Sequence, residues 1–262
     1  MLHLRTSGDP SQPTVVMLHG IGTSGWMWEN LFARMNGLHC IAIDMPGHGK
    51  SRLIPWISME DTADRIAMVV ASQARNGTAH IVGLSLGAYV GLTLMSRHGD
   101  LLGHCMLSGL NVLPLPNPRL MGVMAYAMAP LLKTSFGANL NARALKIPGE
   151  QRRGYRQSLK ELSLRSFIAA NYDAITFSQP QALGRVHNPT LLIAGENEHP
   201  LIHSSMAVMK KTLPNAQERW AQGCGHGWSG EKPGLFAATV LAWCQGQPLP
   251  PQLMTDIALK SG

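Results

Sequence analysis

Short, largely apolar runs separated by helix-length segments set the rhythm of the first 111 residues. Thr14–Leu18, Cys40–Ile43, Ala79–Val82 and His104–Leu107 each span four or five residues and close at or near Gly, Asp or Ser. Runs of consecutive apolar residues, rather than apolar residues at alternate positions, predict strands covered on both faces. Between them Trp28–Met35, Thr62–Ala74 and Leu86–Arg97 have helical length and spacing. The rhythm breaks after residue 111 and resumes with a strand at Thr190–Ala194, a helix at Ile202–Lys211, a strand at Gln217–Ala221 and a helix at Pro233–Cys244. Strand and helix alternating in this way predict an α/β fold built on a mostly parallel, doubly wound sheet.

The interval 112–188 has a different character. Three prolines between Leu113 and Pro118 forbid a continuing helix, Met121, Met124 and Met128 then recur on one helical face, and a basic run covers Gln151–Lys160. We expect a helical insertion at 112–188 lying over the C-terminal edge of the sheet, with the core formed by 1–111 and 189–262. The methionines, with Leu131 and Leu132, are expected either to line an apolar acyl or aromatic pocket or to pack the insertion onto the core. The tail Gln245–Gly262, with Pro248, Pro250 and Pro251, is expected to be loosely held.

Composition narrows the class. The 262 residues are 45 % apolar and 14 % charged, which excludes a disordered chain, and the glycines follow no three-residue period. Arg5, Asp9 and two prolines interrupt the start, so no signal peptide is expected, and no apolar run approaches the ~18 residues of a membrane span. Cys40, Cys105, Cys224 and Cys244 are far apart in a chain able to hold itself by its core, pointing to a reducing, cytoplasmic setting. The formal charge of +7 is localised. Residues 112–188 hold ten Lys/Arg against three acids, and the remainder balances. No aromatic-interleaved groove accompanies this basicity, so nucleic acid is not the expected partner. A solvated helix face accounts for Arg152, Arg153, Arg156 and Lys160, and steering of an anionic substrate is the sharper reading.

Gly83-Leu84-Ser85-Leu86-Gly87 carries the strongest chemical signal. It follows an apolar strand and opens a helix, the setting of a nucleophile elbow, where a sharp turn lifts a serine hydroxyl clear of the sheet. Such a turn brings backbone close to backbone, which gives glycine at 83 and 87 a steric reason. Free N–H groups at the start of the following helix favour negative charge developing there. His19-Gly20-Ile21-Gly22 closes the first apolar run, and a Gly-rich turn can present a backbone N–H to an oxyanion without obstruction.

With these motifs the chain resembles the α/β-hydrolase family, in the group that carries a helical cap. The resemblance runs from His19-Gly20 through Asp44-Met45-Pro46-Gly47-His48-Gly49-Lys50-Ser51 and the serine elbow to Pro189-Thr190-Leu191-Leu192-Ile193-Ala194-Gly195, Gly225-His226 and Glu231-Lys232-Pro233. It implies Ser85 as nucleophile, His226 as base in the loop after the last strand, and the Ile21 and Leu86 N–H groups as the oxyanion hole. It implies a carboxylate after the strand Thr190–Ala194. Relatives commonly have aspartate where this chain has Glu198, and the loop Gly195-Glu196-Asn197-Glu198-His199 contains none. Glu198 is the expected acid, with Glu196 as the competitor. His19 and His48 are read as structural, and Asp44–Ser51 as an architectural loop. Trp26, Trp28 and Trp228 flank the oxyanion and base loops, as pocket walls or as core. Glu198, His199 and His203 do not make a metal motif, and no metal or organic cofactor is expected.

The implied activity is a serine hydrolase cleaving a carboxylic ester or related acyl compound through an acyl-enzyme. A lyase or carbon–carbon bond hydrolase on the same triad, and a receptor-like ligand-binding protein with little turnover, are the alternatives. The expected partner is a small acyl molecule, anionic if the basic insertion steers it.

Overall fold

The protein is described by a computed structural model over residues 1–145 and 147–256. Lys146, one of the basic residues of the insertion, and the end of the tail, 257–262, lie outside the described residues. Eight strands form one sheet: β1 (His3–Ser7), β2 (Thr14–Leu18), β3 (His39–Asp44), β4 (Ala79–Leu84), β5 (Leu102–Ser108), β6 (Thr190–Gly195), β7 (Ala216–Ala221) and β8 (Leu253–Met254). Their order is β1-β3-β2-β4-β5-β6-β7-β8. The six inner strands run parallel, and β1 and β8 close the edges antiparallel. The helices are α1 (Glu29–Phe32), α2 (Met59–Gln73), α3 (Leu86–His98), α4 (Pro118–Leu132), α5 (Ser135–Ala144), α6 (Arg152–Glu161), α7 (Leu164–Ile175), α8 (Pro200–Thr212), α9 (Trp228–Glu231) and α10 (Pro233–Cys244).

Successive strand residues point to opposite faces, so each apolar run divides between two cores. Val16 and Leu18 of β2, Ile41 and Ile43 of β3 and Leu192 and Ala194 of β6 face the core shared with α2, α3 and α8. Their neighbours Val15, Met17, Cys40, Ala42, Leu191 and Ile193 face the core shared with α10. This is why these strands carry no polar alternation. A third, smaller cluster, with Tyr155, Leu159 and Phe167 at its centre, lies wholly within the segment between β5 and β6 and meets the body through Ile21 and Trp26.

Several expectations need correction. The helix expected at Trp28–Met35 is a single turn, α1, preceded by a 3-10 turn at Gly25–Trp28. Edge strands β1 and β8 leave no apolar run in the sequence: β1 holds one apolar residue, Leu4, among five, and β8 is two residues long. The tail is held where it is described: Leu253 is buried and pairs with Ala221. Met121, Met124 and Met128 neither line a pocket nor pack inward; all three are exposed. Among the described residues no helix is long and apolar enough to cross a membrane. All four cysteines are buried, and burial pushes the Cys105 thiol up to about 12.

Candidate active site

Ser85 joins β4 to α3 with φ 55° and ψ −119°, a left-handed conformation a serine adopts only where its surroundings enforce it. Both flanking glycines are required. A Cβ at Gly83 would collide with the Gly87 carbonyl, and one at Gly87 with the Leu18 carbonyl. Ser85 N–H donates to Ser108 O at 2.8 Å, while its own carbonyl accepts from Ala88 and Tyr89. The backbone is therefore locked, and the hydroxyl has no hydrogen-bond partner among the described residues.

Glu198 and His226 meet across the ends of β6 and β7. His226 Nδ1 lies 2.5 Å from Glu198 Oε1. A carboxylate only accepts, so the ring donates from Nδ1 and keeps a lone pair on Nε2. The acid side chain is 4 % exposed and the ring 31 %, so the carboxylate is shielded while the base stays reachable. Burial pushes the ring pKa down, but the hydrogen bond and charge of Glu198 outweigh it, and His226 ends above the ordinary histidine value. Glu196 does something else: its Oε2 accepts from Gly223 N–H at 2.7 Å. Glu231 Oε1 accepts from Gly225 N–H at 3.0 Å, and Asn197 N–H donates to Cys224 O at 2.8 Å. The Glu196 and Asn197 bonds staple the loop that carries His226 to the loop that carries Glu198, and the Glu231 bond ties the His226 loop to α9.

The sequence reading passed over Gly109. Its φ is +69°, and a Cβ there would stand 2.8 Å from His226 Cε1 and 3.6 Å from Glu198 Oε2. Only a bare backbone lets the acid–base pair lie against the end of β5. A Ser-Gly step directly after a buried strand was the available signal.

The oxyanion candidates are placed beside Ser85. Gly20 O accepts from His19 Nδ1 at 2.9 Å, Thr23 Oγ1 at 2.6 Å and Thr23 N–H at 3.2 Å. A trans peptide carries its C=O and N–H on opposite sides, so these donors fix the direction of the Ile21 N–H. Neither that N–H nor that of Leu86, at the first turn of α3, has a partner among the described residues. His19 Nε2 accepts from Met45 N–H at 3.0 Å, so the ring is neutral with its proton on Nδ1; burial holds its pKa down to about 4. His48 is likewise a buried loop residue, bonded to Pro46 O and pushed down to about 3 by burial. Asp44 anchors its loop through Arg5 and the N–H groups of Gly25 and Lys50. Beyond Glu198, the residues of that stretch have separate structural partners: His199 caps α8 and His203 accepts from Trp220 Nε1.

Ser85, His226, Gly20 and Ile21 line one cavity of about 110 Å³. Trp26 and Met27 wall it from the body, and Leu145, Ile147 and Pro148 from the segment between β5 and β6. Of the three tryptophans, Trp26 is a wall. Trp28 and Trp228 are fully buried and pack on Phe236, with Trp228 donating to Ser108 Oγ. An apolar chamber lined by a serine, a charge-supported imidazole and Ile21, whose N–H is unpartnered among the described residues, suits attack on a carbonyl.

Comparison with known proteins gives the family and the fold. Residues 15–239 match the Alpha/beta hydrolase family. An AB hydrolase superfamily protein of Gibberella zeae is 26 % identical over 251 residues, covering 93 % of this chain and 84 % of that protein. Human Monoacylglycerol lipase ABHD6 is 24 % identical over 251 residues, covering 88 % of this chain and 74 % of its own. The esterase EaEST from Exiguobacterium antarcticum superposes with a TM-score of 0.81 at 18 % identity, over 93 % of this chain and 95 % of that one, and so shares the fold.

Proposed function

The chain belongs to the α/β-hydrolase family, and we propose that within it the protein is a serine hydrolase acting on a carboxylic ester or related acyl compound. One observation carries the reading: the buried Glu198 supports His226 at 2.5 Å, and that ring shares a cavity with the elbow serine. The similarity to a lipase and an esterase supports an ester as the bond cleaved. The segment 112–188 acts in this reading as a cap, closing the cavity with Leu145, Ile147 and Pro148.

Ser85 Oγ attacks the carbonyl carbon as His226 Nε2 takes its proton. Glu198 stabilises the imidazolium, and the Ile21 and Leu86 N–H groups receive the negative charge on the carbonyl oxygen. The tetrahedral species collapses, the proton passes to the departing alkoxide, and an acyl group remains on Ser85. Water then attacks the acyl carbon, His226 takes the water proton, and collapse returns that proton to Ser85 and frees the acid. The apolar wall suits an alkyl or acyl chain, and the basic cap suits a substrate that also bears negative charge.

A fluorophosphonate probe and a nitrophenyl ester test this directly. Covalent labelling and burst release are expected from the unaltered protein. Ser85→Ala is expected to abolish labelling and to lower turnover about ten-thousandfold or more. Labelling that survives Ser85→Ala refutes the reading. Proton exchange on a ketonic substrate without an acyl burst assigns the site to lyase chemistry instead, and tight ligand binding without turnover assigns it to a receptor.

A further inference from the structure

Helix α4 carries an apolar surface that nothing among the described residues covers. Val123, Met124, Tyr126 and Met128 are 65, 59, 64 and 52 % exposed, and Leu120 is 58 % exposed. At about 100° per residue these positions span more than half of the helix circumference. The patch continues on both neighbours. On α5, Phe136 and Leu140 are exposed four residues apart, and Tyr172 of α7 is exposed against α4, where a Cβ at Gly122 would lie 3.2 Å from its ring.

Four of the segment's ten cations stand on or beside these helix faces. Arg143 continues the Phe136–Leu140 face of α5, and Arg165 stands two turns before Tyr172 on α7, both exposed. Arg119 and Lys133 stand at the two ends of α4. None of the four takes part in an ion pair among the described residues. A large apolar patch rimmed by unpaired cations is the pattern of a surface helix that lies in a membrane interface.

We propose that α4, with the flanking faces of α5 and α7, docks on an anionic lipid surface without crossing it. The apolar side chains enter the boundary between headgroups and acyl chains, and the four cations meet lipid phosphates. A second copy of the chain is the poorer occupant, because a two-fold contact would bring together two faces that both carry unpaired positive charge and, among the described residues, no compensating anion at their rims. The docking rests on the surface alone. Its consequence, that an ester dissolved in lipid is delivered to a cavity walled by the same segment, rests on the hydrolase reading.

Flotation of the full-length protein with vesicles tests the docking without any measurement of turnover. The protein is expected to float with equimolar phosphatidylcholine and phosphatidylglycerol, to lose binding as salt is raised, and to remain in solution with phosphatidylcholine alone. Met124→Glu combined with Met128→Glu is expected to abolish flotation. Lys133→Glu combined with Arg143→Glu is expected to weaken it about thirtyfold or more. All these sites lie on the surface, so unchanged thermal melting shows that the variants fold. Equal binding to both vesicle types, or binding that survives either pair of substitutions, overturns the proposal. Absence of vesicle binding also overturns it, and self-association that Met124→Glu dissolves would assign the face to a second copy.

Discussion

Helices α3 and α4 are both apolar and similar in length, yet they occupy opposite situations. Of the 13 residues of α3, ten are buried; of the 15 of α4, only Ala129 is. The difference follows from what each helix is tied to. Helix α3 starts at Ser85, where β2, β4 and β5 approach so closely that glycine is the one residue tolerated on either side. Helix α4 hangs from a proline-rich connection and leans on its neighbours in the inserted segment. Apolarity in the first is packing. In the second it is a surface. A helix welded to the sheet can hold a reacting atom to within tenths of an ångström, whereas one outside the core can only choose what approaches.

Substitutions next to the sheet should therefore act on the chemical step. Glu198→Gln keeps the shape but deprives His226 of its charged partner, and kcat should fall about a thousandfold. Glu196→Gln should cost no more than a few-fold, since among the described residues the Glu196 carboxylate bonds only the Gly223 N–H. The pH profile adds a second reading. His226 must be neutral to accept the serine proton, so kcat/KM rises with pH through a pKa above the ordinary histidine value. Removing the charge of Glu198 leaves burial as the dominant influence, so the residual activity should show its acid limb displaced to lower pH. A limb that stays in place means the two side chains are not coupled.

Gly109→Ala is the next largest. The new methyl would stand 2.8 Å from His226 Cε1 at a backbone φ of +69°. Strain of about 1–3 kcal/mol is expected in stability, and a displaced ring should lower kcat by about tenfold to a hundredfold. Loss of stability with kcat intact would show that the ring finds its place by another route.

How much of this was legible follows the same division. The strands β2 to β7 and the helices α2, α3, α8 and α10 could be read because continuous apolar runs, Gly punctuation and helical periodicity reflect burial on two faces. The strand-to-helix turn at Ser85 and the loop position of His226 could be read because a strained elbow and a Gly-rich loop leave marks in the sequence. The structure separates Glu198 from Glu196 by partners that no spacing encodes: an imidazole for one, a backbone N–H for the other. Gly109 stayed hidden because its constraint is a ring 117 positions away in the chain. The methionines of α4 misled for a physical reason. A periodic apolar face states that something non-aqueous covers it, and does not state that the cover is this protein.

Trp26 joins the two regions and should show an intermediate effect. Its indole Nε1 donates to the buried Ser158 Oγ of α6 at 2.6 Å, and its ring lines the cavity. Trp26→Phe keeps an aromatic wall but strands that hydroxyl, which costs about 1–3 kcal/mol in holding α6 to the body. The chemical groups are untouched, so KM should rise about threefold to tenfold for a long-chain ester while kcat for an acetyl ester holds. A fall in kcat for both esters would place Trp26 with the elbow rather than with the segment above it.

The smallest effect belongs to the segment's charge. Residues 112–188 carry ten Lys/Arg against three acids, yet among the described residues none of these charges lines the cavity. Their influence on the reaction is limited to the approach of substrate, through a field that salt screens within about 10 Å at 0.1 M. A carboxylate-bearing ester should lose about twofold to fivefold in kcat/KM as salt is raised, a neutral ester of the same length almost nothing, and kcat should move for neither. Charge reversal of Arg153 and Lys160, exposed on α6, should flatten the first response onto the second. Equal salt dependence for the two esters would confine the basicity to the outer surface, where α4 meets its own partner.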